Sequence, residues 1–191
     1  MRSQRMFVAL VPPAGAVEHL DEFLVPRRDA ARFRWAEPDQ FHITLAFLES
    51  VVERRIDDLV ERLERAAGRR TSFAVRVAGG GAFPNPARAR VLYAGLDLAD
   101  DARLELDRLA TGARAAAGRA GVAVDGQRFR PHVTLARLRR PTEVSSWVRL
   151  LDGYAGPTWT ADGIALVASY LGEGPRGRPR YETVTELPLP R

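Results

Sequence analysis

The sequence predicts an α+β fold in which one strand–helix unit is used twice. Two observations lead to this prediction. The tetrapeptide His42–Leu45 (HITL) recurs 90 positions later as His132–Leu135 (HVTL), and a helical pattern follows each copy. Because polar and apolar residues alternate within each tetrapeptide, each has the period of a half-buried strand. The histidine and the threonine of each copy therefore share one face of the strand, and the apolar residues share the other face.

In the first half of the chain, a strand and a helix are predicted before the first tetrapeptide. Arg5–Val11 is apolar enough for a strand, and a helix is expected over residues 14–24, where Pro26 should stop it. Residues 33–35 form a short extended piece before the first tetrapeptide. A strong helical period then covers about Val51–Gly68, whose last glycine is a natural C-terminal cap.

A pair of strands separates the two halves. These strands are predicted at residues 72–78 and 89–96. Gly79–Gly81 lies between them. A triple glycine could cradle a phosphate, but no helix start with a GK(S/T) sequence follows, so a flexible loop or a bulge is favoured.

The second half repeats the order of the first. A long helix is expected over Asp100–Arg119, followed by the second tetrapeptide and by a short helix from Pro141 to about Leu151. Trp147 and Leu150 of this short helix are candidates for the core. Two final strands are predicted at residues 163–171 and 181–189.

Composition places the chain among globular proteins and excludes several chemistries. Of its 191 residues, 46% are hydrophobic and 28% are charged, and no apolar run approaches the ~18–20 residues of a membrane span. The N-terminal segment lacks the apolar stretch and the cleavage site of a secretory signal. There is no cysteine, which excludes disulfides, thiolate nucleophiles and cysteine-ligated metals. We therefore expect a cytoplasmic protein that does not contact a membrane.

The basic residues are all arginine. There are 29 of them, and the formal net charge is +5. The absence of lysine excludes a P-loop lysine, a Schiff base and a lysine–nucleotide adduct. A genome rich in G and C is one explanation of the arginine excess. Guanidinium groups also match phosphate geometry better than ammonium groups do, so the composition is consistent with an anionic substrate.

Two matched histidines point to acid–base chemistry. If the two strands are neighbours, two imidazoles and two hydroxyls converge on one cleft. Since the ordinary pKa of histidine is near 6.5, one imidazole can accept a proton while the other donates one. Thr44 and Thr134 can donate to phosphate oxygens. One tetrapeptide alone would be read as an ordinary strand, but two copies favour a site. His19 lacks this motif and is expected at the surface.

With both motifs in their strand context, the chain resembles the 2H phosphoesterase superfamily. Within it, the chain is most similar to the RNA 2′,3′-cyclic phosphodiesterase family, also called 2′-5′ RNA ligases. The resemblance covers nearly the whole chain. Besides the tetrapeptides, it rests on Arg5–Leu10, Trp35, Phe83–Pro84, Ala89–Leu96, Arg130–Arg137 and Ser169–Tyr181. Glu49 departs from the family pattern, which commonly has glycine there.

The resemblance implies two pseudo-symmetric lobes of antiparallel sheet with outer helices, a LigT-like fold with a central cleft. Residues 1–191 would form a single bilobal catalytic domain, expected as a monomer. The implied reaction opens a terminal 2′,3′-cyclic phosphate to a 2′-phosphate without metal, ATP or any other cofactor. The implied partners are RNA ends or nucleotides with a 2′,3′-cyclic phosphate, and 2′-5′ RNA ligation is a side or reverse-type activity.

The family pattern makes His42 the proton donor and His132 the proton acceptor, an order that the residues themselves leave open. It also points to the arginine of T-L-A-R, Arg137, as the group that stabilises phosphate charge. Strict strand alternation puts Arg137 on the face opposite His132 and favours Arg130, unless twist or a bulge turns Arg137 inward. The phosphate-binding candidates are therefore Thr44, Thr134, Arg137 and Arg130.

Several alternatives stay open. A zinc hydrolase would need three protein ligands, whereas only two histidines share a motif. A non-catalytic RNA-binding module would explain the charge and the aromatic residues. The substrate could also be a small cyclic nucleotide or an ADP-ribose cyclic phosphate. A base could stack on Phe41, Phe47 or Tyr170, although core packing is favoured for the phenylalanines.

Overall fold

Residues 2–191 are described by a computed structural model, and they contain four α-helices and nine strands. In chain order the elements are β1 (Ser3–Leu10), α1 (Ala14–Arg28), β2 (Arg34–Trp35), β3 (Ile43–Val52), α2 (Ile56–Ala67), β4 (Phe73–Phe83), β5 (Ala89–Asp97), α3 (Asp100–Arg119), β6 (Val133–Thr142), α4 (Ser145–Asp152), β7 (Trp159–Ala161), β8 (Gly163–Tyr170) and β9 (Arg180–Pro188). The predicted order of elements is confirmed, with β7 as a short strand that the pattern did not predict. None of the helices in these residues has the length and apolar character needed to cross a membrane.

The strands form one antiparallel sheet whose two halves meet at the tetrapeptides. The strand order is β7-β4-β5-β6-β3-β1-β8-β9, and β2 pairs with β6. The central strands β3 and β6 pair at one position, Ile43 opposite Val133. Each half therefore brings its tetrapeptide strand to the middle of the sheet. The predicted α+β class, with two related halves of antiparallel sheet and outer helices, is confirmed.

The helices bury an apolar stripe against one face of the sheet. In α2, Leu59, Leu63 and Ala67 recur every four residues and are fully buried. Burying a leucine side chain of this kind stabilises the fold by roughly 1.5–3 kcal/mol. α2 packs against α3, β8 and β9, and α4 packs against β4.

A small second cluster covers part of the opposite face of the sheet. It consists of Phe7, Ala9, Ala165 and Val167, with Phe47 and Tyr181 packed against it. Successive side chains of a strand point to opposite faces, so Phe7 and Ala9 leave the main core that Met6 and Val8 join. Phe7 and Tyr181 of this cluster pack against His42 of the first tetrapeptide.

α1 continues past Pro26 to Arg28, so the predicted stop at the proline is wrong. A proline removes a backbone donor, but near the end of a helix few later bonds depend on it. The last turn has other support, since the Arg27 side chain donates to the Phe23 carbonyl at 2.5 Å and Arg28 pairs with Asp21 at 2.6 Å. Both cations also lie at the helix C-terminus, where positive charge is favourable.

The start of α2 was predicted too early. β3 continues to Val52, which pairs with Ser3 of β1, and the helix begins only at Ile56. The apolar spacing of residues 51–56 fits both a strand end and a helix, and pairing with β1 decides between them. Gly68 follows the last helical residue, as predicted, and its N–H donates to the Glu64 carbonyl at 2.9 Å.

The start of α4 was also predicted too early, and one of its core residues was misplaced. β6 runs to Thr142, and α4 begins at Ser145, whose N–H donates to the Glu143 carboxylate at 2.9 Å. Trp147 packs against the core as predicted. Leu150 is 39% exposed, and the neighbouring Leu151 is buried instead. Leu151 lies four residues after Trp147, so these two side chains share the buried face of α4.

The triple glycine is a bulge inside β4 and not a loop. The register between β4 and β5 shifts between Val77 and Gly80, and Gly79 has a φ of +70°. Gly80 and Gly81 let neighbouring side chains pack directly on the backbone of β4, one on each face of the strand. A Cβ atom on Gly80 would overlap the Leu151 side chain, and one on Gly81 would overlap the Tyr93 ring.

Gly80→Ala should lower the free energy of unfolding by about 1–3 kcal/mol, because the new methyl group collides with Leu151. Gly118→Ala in α3 is the matched control. Nothing lies within 4 Å of a Cβ there, so this change should raise stability by about 0.5–1 kcal/mol. Urea denaturation measures both changes. Equal stability of the two variants would contradict the assigned packing.

Candidate active site

The two tetrapeptides meet at the centre of the sheet. His42 directly precedes β3 and His132 directly precedes β6, and the residues that follow them form the Ile43–Val133 pair. Both paired residues are fully buried, while the two threonines are partly exposed on the other face. The antiparallel pairing brings both histidines and both threonines to one cavity of about 460 Å³, the histidine chamber.

Each imidazole is held by a backbone carbonyl two residues earlier. His42 Nδ1 lies 2.7 Å from the Gln40 oxygen, and His132 Nδ1 lies 2.6 Å from the Arg130 oxygen. A carbonyl oxygen only accepts hydrogen bonds, so Nδ1 carries the proton in both rings. The neutral form of each histidine therefore has an unprotonated Nε2 that is left for a ligand.

A phenylalanine and a tyrosine flank each imidazole. They are Phe7 and Tyr181 at His42, with ring centroids 4.5 and 5.5 Å away, and Phe83 and Tyr93 at His132, at 4.9 and 5.2 Å. These rings fix the orientation of the imidazoles and exclude water from one side of each. The sequence reasoning missed all four. For Phe7 the signal was present, because alternation along β1 places it on the face of the sheet opposite Met6 and Val8.

Burial lowers the pKa of both histidines. The pKa of His42 falls to about 4, chiefly through burial, with further lowering by the charges of His132 and Arg137 and an opposing effect of the hydrogen bond to Gln40. The pKa of His132 is also lowered by burial, against its hydrogen bond to Arg130, and Arg137 lowers it further. Near pH 7 both imidazoles are therefore largely neutral in the free protein.

The lowered pKa of His42 makes stability depend on pH. The unfolded state, with a pKa near 6.5, binds more protons than the folded state, so stability falls as the pH drops below about 6.5. From pH 8 to pH 5 this residue should remove at most about 2 kcal/mol of the free energy of unfolding.

His42→Gln should reduce that loss, as urea denaturation at the two pH values would measure. The parent protein, measured at the same two pH values, is the reference. The same pH dependence in His42→Gln as in the parent would contradict a buried neutral imidazole at this position.

A bulge turns Arg137 towards the histidines. The register of β6 against β5 skips Leu135, since Ala136 and Thr134 face consecutive residues of β5. After the bulge, the side chains of β6 point to the faces opposite those that strict alternation would give. Arg137 therefore lines the histidine chamber together with His132. The bulge explains the difference from strict alternation, which would put Arg137 on the opposite face.

The first tetrapeptide strand carries the same bulge. The register of β3 against β1 skips Leu45. Phe47 thereby takes the position in β3 that Arg137 takes in β6, and both side chains line the chamber. The Arg5 guanidinium lies over the Phe47 ring, 4.4 Å from its centroid. The two halves of the site are thus alike in backbone and differ in charge.

Arg130 lies in an adjoining cavity of about 580 Å³, the side chamber. Its guanidinium carbon is 5.8 Å from the centroid of Phe83, and its carbonyl oxygen holds His132. Arg137 lines both chambers, whereas Arg130 lines the side chamber and not the histidine chamber. The structure therefore separates the two arginine candidates by position.

The candidates for base stacking, and His19, lie in different surroundings. Phe41 is 2% exposed and belongs to the core, while Phe47 lines both chambers. Tyr170 lies under the Arg180 guanidinium, 4.0 Å from the ring centroid. His19 is exposed, as predicted, with its Nδ1 3.0 Å from the Tyr154 hydroxyl.

The histidine chamber is positively charged. Four arginines line it, Arg5, Arg34, Arg137 and Arg178, and its lining in the described part of the chain contains no carboxylate. Thr44 and Thr134 also line it, and neither is among the threonines whose hydroxyls hydrogen-bond within residues 2–191. No group of three or more His, Asp or Glu side chains in those residues is arranged to hold a metal ion. Free hydroxyls and guanidinium groups of this kind suit a phosphate.

The family model of the LigT-like phosphoesterases matches residues 11–93 and 96–176. The chain belongs to this family. One relative is an RNA 2′,3′-cyclic phosphodiesterase from Thermus thermophilus. It is 30% identical to this chain, over 97% of this chain and 90% of its own length. Another relative of that name, from Archaeoglobus fulgidus, is 32% identical over 76% of this chain and 79% of its own.

Among solved structures, the LigT-like phosphoesterase is similar to E. coli LigT complexed with 3′-AMP. The two chains are 25% identical, each is covered over 100% of its length, and the TM-score is 0.79. The resemblance to the 2H phosphoesterases and the LigT-like fold are both confirmed.

Proposed function

We propose that this LigT-like phosphoesterase is an RNA 2′,3′-cyclic phosphodiesterase that opens a terminal 2′,3′-cyclic phosphate to a 2′-phosphate. The observation that carries the proposal is the meeting of His42 and His132 in one positively charged chamber, each with Nδ1 held and Nε2 free. The names of the Thermus thermophilus and Archaeoglobus fulgidus relatives support this substrate. The nucleotide in the E. coli LigT complex supports a nucleotide-sized ligand.

The reaction needs a base for the attacking water and an acid for the departing ribose oxygen. We assign the base to His132, whose neutral tautomer has the lone pair at Nε2. We assign the acid to His42, on the other side of the chamber. Attack in line with the leaving oxygen requires the two imidazoles to flank the phosphorus, and their positions on paired strands fit that requirement.

His42 must be protonated at Nε2 to act as the acid, although its pKa falls to about 4 in the empty chamber. We infer that the bound phosphate shifts the pKa of His42 back upward. Its negative charge opposes the effects of Arg137 and His132, so binding raises the pKa of His42. The imidazole is thus neutral in the free protein and charged with the substrate present, which couples the acid to substrate binding.

Three other groups hold the non-bridging phosphate oxygens. The Thr44 and Thr134 hydroxyls donate from either side of the Ile43–Val133 pair, and Arg137 donates from its position after the bulge. Arg130 contacts the part of the ligand that enters the side chamber. No metal and no ATP take part in this scheme, and no other cofactor is required.

Both motifs and the chamber lining come from one chain, which supports residues 1–191 as a single bilobal catalytic domain that works as a monomer. We place its action on RNA ends in the cytoplasm. Ligation of RNA through a 2′-5′ bond is the proposed side activity, since the same acid and base can run the transfer with a ribose hydroxyl in place of water.

His42→Ala and His132→Ala should each lower the turnover of an RNA with a 2′,3′-cyclic phosphate end by at least about 10²-fold, because each removes one proton-transfer step. His19→Ala is the matched control and should keep the parent rate. Circular dichroism checks that the fold is intact. Full activity in either chamber variant, with an unchanged spectrum, would rule out the paired roles.

A further inference from the structure

A second basic concavity, which we call the arginine surface, adjoins the histidine chamber. It has a volume of about 730 Å³ and lies over β2, the end of β6 and the loop before β9. Seven of its ten lining residues are arginines, and none is a carboxylate. The arginines are Arg32, Arg34, Arg137, Arg139, Arg140, Arg176 and Arg178.

Most of these arginines have no acidic partner. Arg178 is buried and pairs with Glu37 at 2.6 Å, whereas the other six are exposed and form no ion pair within residues 2–191. On α2, by contrast, Arg62 pairs with Asp58 at 2.9 Å and Arg65 with Glu61 at 2.6 Å. A concave surface of one charge sign raises the local concentration of counter-ions, here anions.

Two arginines of the surface lie opposite each other in a strand pair. Arg34 of β2 lies directly opposite Arg137 of β6 in the sheet register. Like charges directly opposite each other destabilise a sheet. The Arg34 guanidinium also donates to the Gly177 carbonyl at 2.7 Å, and an anion bound beside these two arginines would offset their like charge. Both residues also line the histidine chamber, so the arginine surface begins beside the reacting phosphate.

The surface leads away from the chamber along β6. The strand from Arg137 to Thr142 is about 16 Å long at ~3.3 Å per residue. One strand of stacked nucleic acid carries a phosphate every ~3.4 Å, so this distance matches about four to five nucleotides. Arg139 and Arg140 lie along this stretch, and Arg176 joins them from the loop before β9.

We propose that the arginine surface binds the phosphodiester backbone of the RNA chain on the 5′ side of its cyclic end. This inference rests on the proposed function, since a 2′,3′-cyclic phosphate closes the 3′ end and leaves the chain only the 5′ direction. A cyclic mononucleotide fills the chamber alone, whereas an RNA also reaches the arginines. The preferred substrate class is therefore an RNA oligonucleotide.

The test removes three charges that lie outside the histidine chamber. A triple variant carries Arg139→Gln, Arg140→Gln and Arg176→Gln. Its kcat/KM is compared with that of the parent on an RNA of about eight nucleotides with a 2′,3′-cyclic end and on adenosine 2′,3′-cyclic monophosphate. At ~50 mM salt we expect a loss of tenfold or more on the RNA and no change on the mononucleotide, with a salt dependence of RNA binding that is shallower by about 2 in log–log slope.

A second triple variant is the matched control. It carries Arg62→Gln, Arg65→Gln and Arg69→Gln, which line a groove of about 530 Å³ between α2 and α3. This variant loses the same charge and should keep the parent rate on both substrates. An equal loss on RNA in the two triple variants would overturn the proposal, because net charge alone would explain it. An equal loss on both substrates in the first variant would also overturn it.

RNA binding measured without turnover separates this inference from the proposed function. The probe is a fluorescent RNA of the same length with an ordinary 3′-phosphate, followed by anisotropy. Weaker binding by the Arg139/Arg140/Arg176 variant and not by the control supports the arginine surface, even if the parent hydrolyses neither cyclic substrate and the proposed function fails. Unchanged RNA binding in that variant overturns the inference whatever the rates are.

Discussion

One backbone pairing, between Ile43 and Val133, determines the geometry of the whole site. It joins the two halves of the sheet, and both side chains are fully buried in the common core. A shift of either strand by one residue would turn its apolar residues to the chamber and its histidine and threonine to the core. The register is therefore selected by burial of hydrophobic side chains, and the convergence of the two imidazoles follows from that register. A stability requirement and the chemistry of the site depend on the same contact.

The electrostatics of the molecule favour a bound anion in two places. In the histidine chamber, burial and the charges of His132 and Arg137 lower the pKa of His42 to about 4. In the arginine surface, Arg34 and Arg137 face each other in register without a carboxylate in the lining. Both arrangements cost stability in the free protein, since they desolvate or oppose positive charge. A negative phosphate would offset the positive charge in both places, and Arg137 belongs to both sites.

Local patterns in the sequence were sufficient for much of the fold and for the two motifs. α3 begins at Asp100 and ends at Arg119 as predicted, because its apolar period is unbroken. Several of the errors lie where pairing with a distant segment decides the outcome. β7 has only three residues and forms because it pairs with β4. The bulges at Leu45 and Leu135 could not be located from the sequence. Each leucine is followed by an alanine, and two consecutive apolar residues fit either an ordinary strand or a bulge. The rings around the histidines could not be assembled from the sequence, since they come from four different strands.

The central claim is that two histidines transfer protons at one cyclic phosphate without a metal. The most direct measurement incubates an RNA ending in a 2′,3′-cyclic phosphate with the protein in ¹⁸O-labelled water, with excess EDTA and without ATP. Mass spectrometry and end mapping then identify the product. We expect a 2′-phosphate that carries one ¹⁸O atom, because water attacks phosphorus while the 3′ oxygen leaves. A 3′-phosphate product would contradict the assigned order of acid and base, and a reaction that stops in EDTA and returns with zinc would contradict the metal-free mechanism.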